Sequence, residues 1–324
     1  MTISVVIAAY NGSSYIAEQL ESICTQLLPP DEVVISDDNS TDQTRKIVEE
    51  IAEKFPQIKI IFSVNPAPDG VDKNFERAIS LATGNVIFIC DQDDIWLPGR
   101  LKIMAGVLNE PLSGTFCDSK IVDHQLNDLG YTHLFSRGFK SYDKLFTVAG
   151  KDFLKRVPAA GHDMAFTADL KEILLPFPDL KNCYDTWIGL VLFALGAWKP
   201  CTSEPLTLFR RHAGAVSGSG FSLSFREKIA QAKKAVADDA SGWYAELYHQ
   251  LIERVKDKAA PEMLSLLEKR RLHSLRRSRM NTALPGRLFL VMLETLNGNY
   301  FRFGRSWQNI VQDIFLRRQR AAKG

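Results

Sequence analysis

The stretch V86-I-F-I-C-D-Q-D-D-I-W96 constrains this chain more than any other. Its first five residues are apolar and partly β-branched, and they follow a Gly84-Asn85 turn signal. The pattern predicts a strand over 86–90 that is buried on both faces, as in a parallel sheet. Three carboxylates, Asp91, Asp93 and Asp94, stand at its C-terminal end. Open α/β sheets bind their ligands at that end of the strands. Carboxylates this close together repel one another unless a cation or hydrogen-bond donors compensate. A hard divalent ion that also holds phosphate oxygens, Mg2+ or Mn2+, meets that need. A solvated acidic turn is the alternative reading of a bare D-x-D pattern, so the flanking sequence decides between them.

Strand and helix signals alternate ahead of this stretch. Residues 3–9 form a buried strand that Tyr10-Asn11-Gly12 breaks. Ser13 or Ser14 is placed to cap a helix reaching about residue 28, with Ile16, Leu20, Ile23 and Leu27 at helical spacing. A second strand over 32–36 closes at Asp37-Asp38, and Thr41 or Asp42 caps a helix to about residue 54. A strand over 58–64 and a helix over 74–82 complete the series. Such alternation with short connections predicts a doubly wound, mainly parallel, Rossmann-like α/β sheet. Past residue 101 the pattern loosens into a helix over 101–108, a strand over 114–117 ending at Asp118, helices near 168–174 and 185–195, and a strand over 206–210. Ser217-Gly218-Ser219-Gly220 reads as a linker, which divides the chain into a domain over 1–220 and a helical, basic region over 221–324.

Composition narrows the class. A chain of 324 residues that is 45% hydrophobic and 24% charged is an ordinary folded protein. Its five cysteines show neither C-x-x-C pairing nor metal-ligand spacing, and read as reduced core residues of a cytoplasmic protein. No signal peptide is expected ahead of the first strand. The longest apolar run, 188–198, is too short to span a bilayer. The net charge of +2 is unevenly spread: residues 269–324 hold thirteen Lys or Arg against two acids, Glu294 and Asp313. A basic cluster over 269–279 is followed by an apolar helical patch over 288–296. Tyr300, Phe301, Phe303 and Trp307 come next, interleaved with Arg302 and Arg305. Basic residues beside aromatics and an apolar face suit an interfacial helix on an anionic membrane surface. A face packed on the catalytic domain, or on another subunit of a homo-oligomer, is the alternative. No recognisable nucleic-acid module accompanies these residues, so no nucleic acid is expected as a partner.

Four strand ends supply candidate ligand groups: Ala9-Tyr10-Asn11, Asp37-Asp38, Asp91 to Asp94, and Asp118. Neither a G-x-G-x-x-G nor a P-loop pattern is present, so holding phosphate falls to a metal on the aspartates after Cys90. Lys73 and Asn74, after the Asp69-Gly70 turn, are candidates to face a diphosphate. Asp37 reads as the cap of the turn that follows it, and Asp94 as the cap of the helix after Pro98. Trp96 and Trp187 are either core aromatics or walls that stack on a sugar.

The segments SVVIAAYNG, VVISDDNSTDQT and FICDQDDIWLPGRL, in this order, resemble the inverting family 2 glycosyltransferases of the GT-A fold. The resemblance covers about the first 220 residues. The Asp-Gln-Asp-Asp-Ile-Trp variant is similar to that of the rhamnosyltransferase-like branch that builds bacterial surface polysaccharides such as O-antigen and capsule. Cys183-Tyr184-Asp185-Thr186-Trp187 and Leu208-Phe209-Arg210-Arg211-His212 resemble the later motifs of that family. Tyr184 and Thr186 depart from the His-Asp-Trp-Trp form usual there.

The resemblance implies a nucleotide-sugar donor whose metal, Mn2+ or Mg2+, sits on Asp93. Asp91 would join the metal or the ribose, and His212 would add a metal or diphosphate contact. Gln92 and Arg210 or Arg211 would lie on the donor. Asp38 would hold the nucleobase, beside the backbone of Ala9, Tyr10 and Asn11. Asp185 would be the catalytic base that takes the proton of the acceptor hydroxyl. A single base with no second nucleophile implies inversion at the anomeric carbon. The donor first expected is dTDP-L-rhamnose, and the acceptor a lipid-linked oligosaccharide at the inner face of the cell membrane. A UDP-sugar such as UDP-galactose or UDP-N-acetylglucosamine is the nearest alternative donor. Two readings of other classes also remain. A nucleotidyltransferase would normally carry a Gly-rich basic loop after the first strand, where Tyr10-Asn11-Gly12-Ser13 stands. A non-catalytic glycan-binding protein would not need Asp91, Asp93 and Asp185.

Overall fold

A computed structural model describes residues 1–139, 142, 145, 151–212, 240–280, 284–304 and 307–315. The chain forms two compact units, one from Met1–Ala149 with Pro158–Ser219, the other from Gly150–Val157 with Gly220–Gly324. The expected linker at 217–220 and Arg305 lie outside the described residues.

The first unit is built on a sheet in the order β3-β2-β1-β4-β9-β6. Strands β1 (Ile3–Ala9), β2 (Glu32–Asp37), β3 (Lys59–Val64) and β4 (Val86–Cys90) run parallel. Every residue of β2 and β4 is buried, as their near-continuous apolar runs require of central parallel strands. The register pairs Ile7 with Cys90 and Ala9 with Asp37, so the ends of β1, β2 and β4 open at one level. Helices α1 (Ile16–Cys24), α2 (Thr44–Lys54) and α3 (Val71–Leu81) connect them. Ile16, Leu20 and Ile23 turn one face of α1 onto the sheet, each fully buried, at roughly 1.5–3 kcal/mol per side chain.

Two features depart from the sequence expectations. The first is β9 (Met164–Thr167), which enters antiparallel between β4 and β6 (Gly114–Phe116) and makes the sheet mixed. Its antiparallel direction sets the start of β9 beside the end of β4. The second is a separate sheet ordered β5-β10-β7-β8. There β5 (Ile95–Trp96) pairs antiparallel with β10 (Pro205–Arg210), which runs parallel to β7 (Asp118–Val122), itself antiparallel to β8 (Asp128–Thr132). The pairing of Ile95 with Leu208 carries Arg210 to the aspartate loop. Trp96 and Trp187 are both core residues; the indole of Trp187 donates to the Leu174 carbonyl at 2.9 Å.

The caps also differ. The first helix begins at Ile16 after Tyr15, with no side-chain cap from Ser13 or Ser14, and Asp42 accepts from the Ser13 amide at 3.0 Å. Asp94 caps nothing: the helix Arg100–Ala105 starts after Gly99 without a side-chain cap, and the Asp94 carboxylate is fully buried.

In the second unit the helices Ala240–Val255 and Pro261–Ser278 are followed by Leu284–Leu296, Asn299–Phe303 and Trp307–Phe315. Proline at the first turn of Pro261–Ser278 suits a position whose N–H has no helical partner. Met280, Val291, Tyr300 and Ile310 form a small core. Much of the basic cluster faces inward rather than to solvent. Arg270 is buried and donates to the Leu154 carbonyl at 3.0 Å. His273 and Arg276 hold Glu294, and Arg277 holds Asp313 at 2.7 Å. Residues 270, 273, 274 and 277 share one helix face, which is why a run of cations along the sequence becomes a buried polar seam.

Candidate active site

The candidate residues stand where β1, β2 and β4 end. Asp37 does cap its turn, accepting from the Ser40 amide at 2.8 Å. Asp38 is buried and accepts from Asn65 Nδ2 at 3.0 Å, the Asp69 amide at 3.2 Å and the Gly70 amide at 2.9 Å. It ties the end of β2 to the loop that leads into α3. Asn74, the next buried polar group, donates to the Ala9 carbonyl at 3.1 Å. Lys73 pairs with Glu76 at 3.1 Å. Tyr10 is exposed just past the end of β1, and Asn11 adopts φ 47, a left-handed turn that asparagine tolerates. Gln92 uses its whole amide on Tyr10: Oε1 accepts the Tyr10 N–H and Nε2 donates to the Tyr10 carbonyl, both at 3.0 Å. It clamps the aspartate loop to the β1 loop. A Cβ on Gly12 would lie 2.4 Å from that Gln92 oxygen, so any larger residue there must displace the clamping amide.

The aspartate loop divides its carboxylates between two imidazoles. Asp93 Oδ2 lies 2.8 Å from His212 Nε2. Asp91, Asp94 and His162 form a second group whose ligating atoms lie within 4.8 Å of one another. Burial and the neighbouring Asp91 charge push the Asp93 carboxyl above the usual range, against the pull of His212. Burial pushes Asp94 well above its usual range, against the opposing charge of His162. Burial alone would lower His162, but the Asp163 and Asp94 carboxylates carry it well above its usual value. Asp94 Oδ1 accepts the Arg210 N–H at 3.1 Å; its Oδ2 is buried with no hydrogen-bond partner among the described residues. An orphaned carboxylate oxygen beside the Asp91 carboxylate and the His162 imidazole fits a divalent cation such as Mn2+, which takes oxygen ligands and accepts nitrogen. The residues present therefore suit the metal that the aspartates suggested.

Arg210 is committed to this loop. Its guanidinium donates to the Asp93 carbonyl at 3.0 Å and the His124 carbonyl at 3.3 Å, pairs with Glu18 and lies 4.7 Å over the Tyr15 ring. Arg211, half-buried beside Tyr131, is the member of the pair not used to hold Asp93. Asp118 opens β7 and accepts from the Ser119 and Leu134 amides at 2.8 and 3.0 Å, an internal cap.

Asp185 lies in the first turn of the helix Tyr184–Ala194. Burial raises its carboxyl above the ordinary range, opposed by the Arg137 charge and the Thr186 amide. The cap of this helix comes from a distant residue. Asp72, on α3, accepts from the amides of Cys183 and Tyr184, each at 3.0 Å. A carboxylate at a helix N-terminus satisfies orphan donors and complements the dipole. Tyr184 stacks on Phe75 with 4.4 Å between ring centroids, and Gly161 packs so closely on Tyr184 that a Cβ there would lie 2.4 Å from its hydroxyl. The turn Gly161–Asp163, which carries His162, and the helix carrying Asp185 are thus locked together. Asp72→Ala is expected to cost about 1 kcal/mol of stability and to lower turnover several-fold by releasing the helix start. Asp72→Asn should keep most of both. Denaturant unfolding with paired kinetics checks this, and an unchanged rate in Asp72→Ala would contradict it.

Sequence reasoning missed His162, Asp72 and the buried Arg100. The only signal for the first was a Gly-His-Asp triplet ahead of a short apolar run.

The geometry can be set beside known proteins. The profile described as glycosyl transferase family 2 matches residues 4–167, half of the chain. A dTDP-rhamnosyl transferase, RfbG of Shigella flexneri, is 44% identical over 99 residues, covering 29% of this chain and 34% of that protein. Among solved structures, S. aureus TarS in complex with UDP-GlcNAc aligns over 98% of this chain and 90% of its own at TM-score 0.56 and 18% identity. The mannosyltransferase PcManGT from Pyrobaculum calidifontis, in complex with GDP-Man and Mn2+, aligns over 97% and 85% at TM-score 0.52 and 20% identity. At such identities the structures speak for the fold alone, and that fold is GT-A. The chain belongs to glycosyl transferase family 2. It spans less than two thirds of the length of the curated relatives it matches, between 31% and 61% for the first of them.

Proposed function

We propose that this protein is a metal-dependent inverting glycosyltransferase that moves a hexose from a nucleotide-sugar to a hydroxyl of a lipid-linked glycan in surface polysaccharide synthesis. The observation that carries this reading is the acidic cluster at the end of β4, where Asp94, with its orphaned oxygen, stands with Asp91 and His162, while Asp38 closes β2 on the other side of β1. Asp91, Asp93, Asp94, His162 and His212 are the residues that would hold the ion. When bound, it neutralises charge on the departing diphosphate. Asp185 takes the proton as the acceptor oxygen bonds to the anomeric carbon. The bond from that carbon to the diphosphate breaks on the opposite face, and the nucleoside diphosphate leaves with the electron pair. The raised Asp185 carboxyl suits a base, since a stronger conjugate base pulls the proton better.

The donor first favoured is dTDP-L-rhamnose. The RfbG relative, whose own name states a dTDP-rhamnosyl transferase, supports it across the segment of 99 residues that the two share. A UDP-sugar is the second reading, since TarS was solved with UDP-GlcNAc on the same fold. The site of action is the cytoplasmic face of the membrane, where a lipid-linked acceptor presents its glycan; among the described residues no helix is long and apolar enough to cross a membrane. A nucleoside-diphosphate release assay with each donor, a lipid-diphosphate glycan and Mn2+ tests the reading, with the product's anomeric configuration read by NMR. Release with inversion supports it, and retention or no release from any donor defeats it. Asp93→Asn is expected to lower release by at least about a hundredfold, and higher Mn2+ should recover little of it.

A further inference from the structure

We propose that the helix Leu284–Leu296 is a lipid-contact element that seats the second unit on an anionic membrane surface. The proposal extends the lipid-linked acceptor reading but rests on a separate observation: this helix is turned inside out. Its charged residues, Arg287 and Glu294, are buried, at 4% and 0% exposure. Its most exposed residues are apolar: Leu288 at 43%, Phe289 at 59%, Met292 at 53% and Leu296 at 77%. Leu288, Met292 and Leu296 recur every fourth residue and so share one face, with Phe289 beside them. A helix facing water places its charges outward and its apolar stripe inward. Here the polar side is consumed by the internal seam, where Glu294 meets His273, Arg276 and Asn299.

Charge selects the occupant. The two acids in residues 269–324, Glu294 and Asp313, are both fully buried and paired, Asp313 with Arg277 and Tyr300. Among the described residues of that stretch, no carboxylate reaches solvent, while Lys269, Arg279 and Arg302 are exposed. A second copy of the chain would add the same excess of exposed cations rather than opposite charge. An anionic lipid surface is complementary to both the apolar stripe and the exposed cations of the same stretch. Phe301 and Val311, also half exposed, add to the apolar surface of the following helices.

Vesicle flotation of the full chain tests this, with phosphatidylcholine alone or phosphatidylcholine containing phosphatidylglycerol, and with no donor or acceptor added. A failure of the catalytic reading therefore leaves the result untouched. The wild type is expected to float with the phosphatidylglycerol vesicles, less with phosphatidylcholine alone, and less in high salt. Phe289→Gln with Met292→Gln should lower partitioning about tenfold or more without lowering the melting temperature, since both side chains are exposed. Absence of binding to the anionic vesicles, or equal partitioning of wild type and double variant, overturns the proposal. So does a concentration-dependent dimer that the double variant dissociates, because the stripe would then belong to a second copy.

Discussion

Asp185→Asn is expected to lower turnover by about 10²–10⁴-fold and, in the same protein, to raise the melting temperature. The first effect follows from removing the group proposed to accept the acceptor proton. The second follows from linkage. Burial lifts the folded-state carboxyl of Asp185 above its unfolded value. A group shifted upward contributes stability below its unfolded pKa, and loses that contribution as pH rises through the folded pKa. At neutral pH the ionised carboxylate is therefore a cost to the fold, and the neutral amide escapes it while still accepting from the Thr186 amide. The same shift fixes the pH profile. Asp185 must be ionised to act, so activity should fall as pH drops through a value above the ordinary carboxylate range. A stability loss in Asp185→Asn, or an acid limb at the ordinary carboxylate value, would count against the assignment.

Arg100→Ala is expected to destabilise the first unit by about 3–5 kcal/mol. Arg100 has no exposed surface. Its guanidinium lies 3.8 Å from the Asp163 carboxylate and 4.0 Å over the Trp96 ring, and it donates to Thr207 and to the His162 carbonyl. Asp163 is equally buried, and against the opposing cost of burial His162 and Arg100 hold its carboxyl well below the usual range. Removing the guanidinium leaves a buried carboxylate short of a counter-charge and opens a cavity beside Trp96. Arg100→Lys should recover only part, because an ammonium cannot reach the Asp163, Thr207 and His162 partners together. Urea unfolding of the three proteins measures the difference; a loss under 1 kcal/mol in Arg100→Ala would mean the charges are solvated in solution.

These two residues also mark what could and could not be read from the chain. The strands of the parallel core were legible because each is a short apolar run bounded by turn residues, and the chain returns to the same sheet edge after each helix. That put Asp38, Asp91 and Asp93 at strand ends before any coordinates. β9 was not legible: four residues give no period, and its place depends on pairing with Val86–Cys90 and Gly114–Phe116, both at least 48 positions away. His162 was lost with it, since only the antiparallel entry of β9 carries that side chain to Asp91 and Asp94. Arg100 received no role from the sequence, because nothing local announces a partner at Asp163. The run of cations over 269–279 is a case where partners are set by tertiary packing. Local sequence shows a basic patch, but its partners Glu294 and Asp313 lie one and three helices further on. Residues whose roles depend on local pattern were visible; those set by pairing across the sheet or between helices were not.

The central claim is a metal-assisted nucleotide site at the ends of β1, β2 and β4. Thermal unfolding with dTDP and with UDP, each with and without Mn2+, tests it most directly, in the wild type and in Asp93→Asn. At a nucleotide concentration about a hundredfold above its dissociation constant, linkage gives about 2.7 kcal/mol, or roughly 5–10 °C for a unit of this size. The account predicts that shift for one of the two nucleotides, only with Mn2+, and its loss in Asp93→Asn. Equal shifts in wild type and Asp93→Asn, or no shift with either nucleotide in the presence of Mn2+, would contradict it.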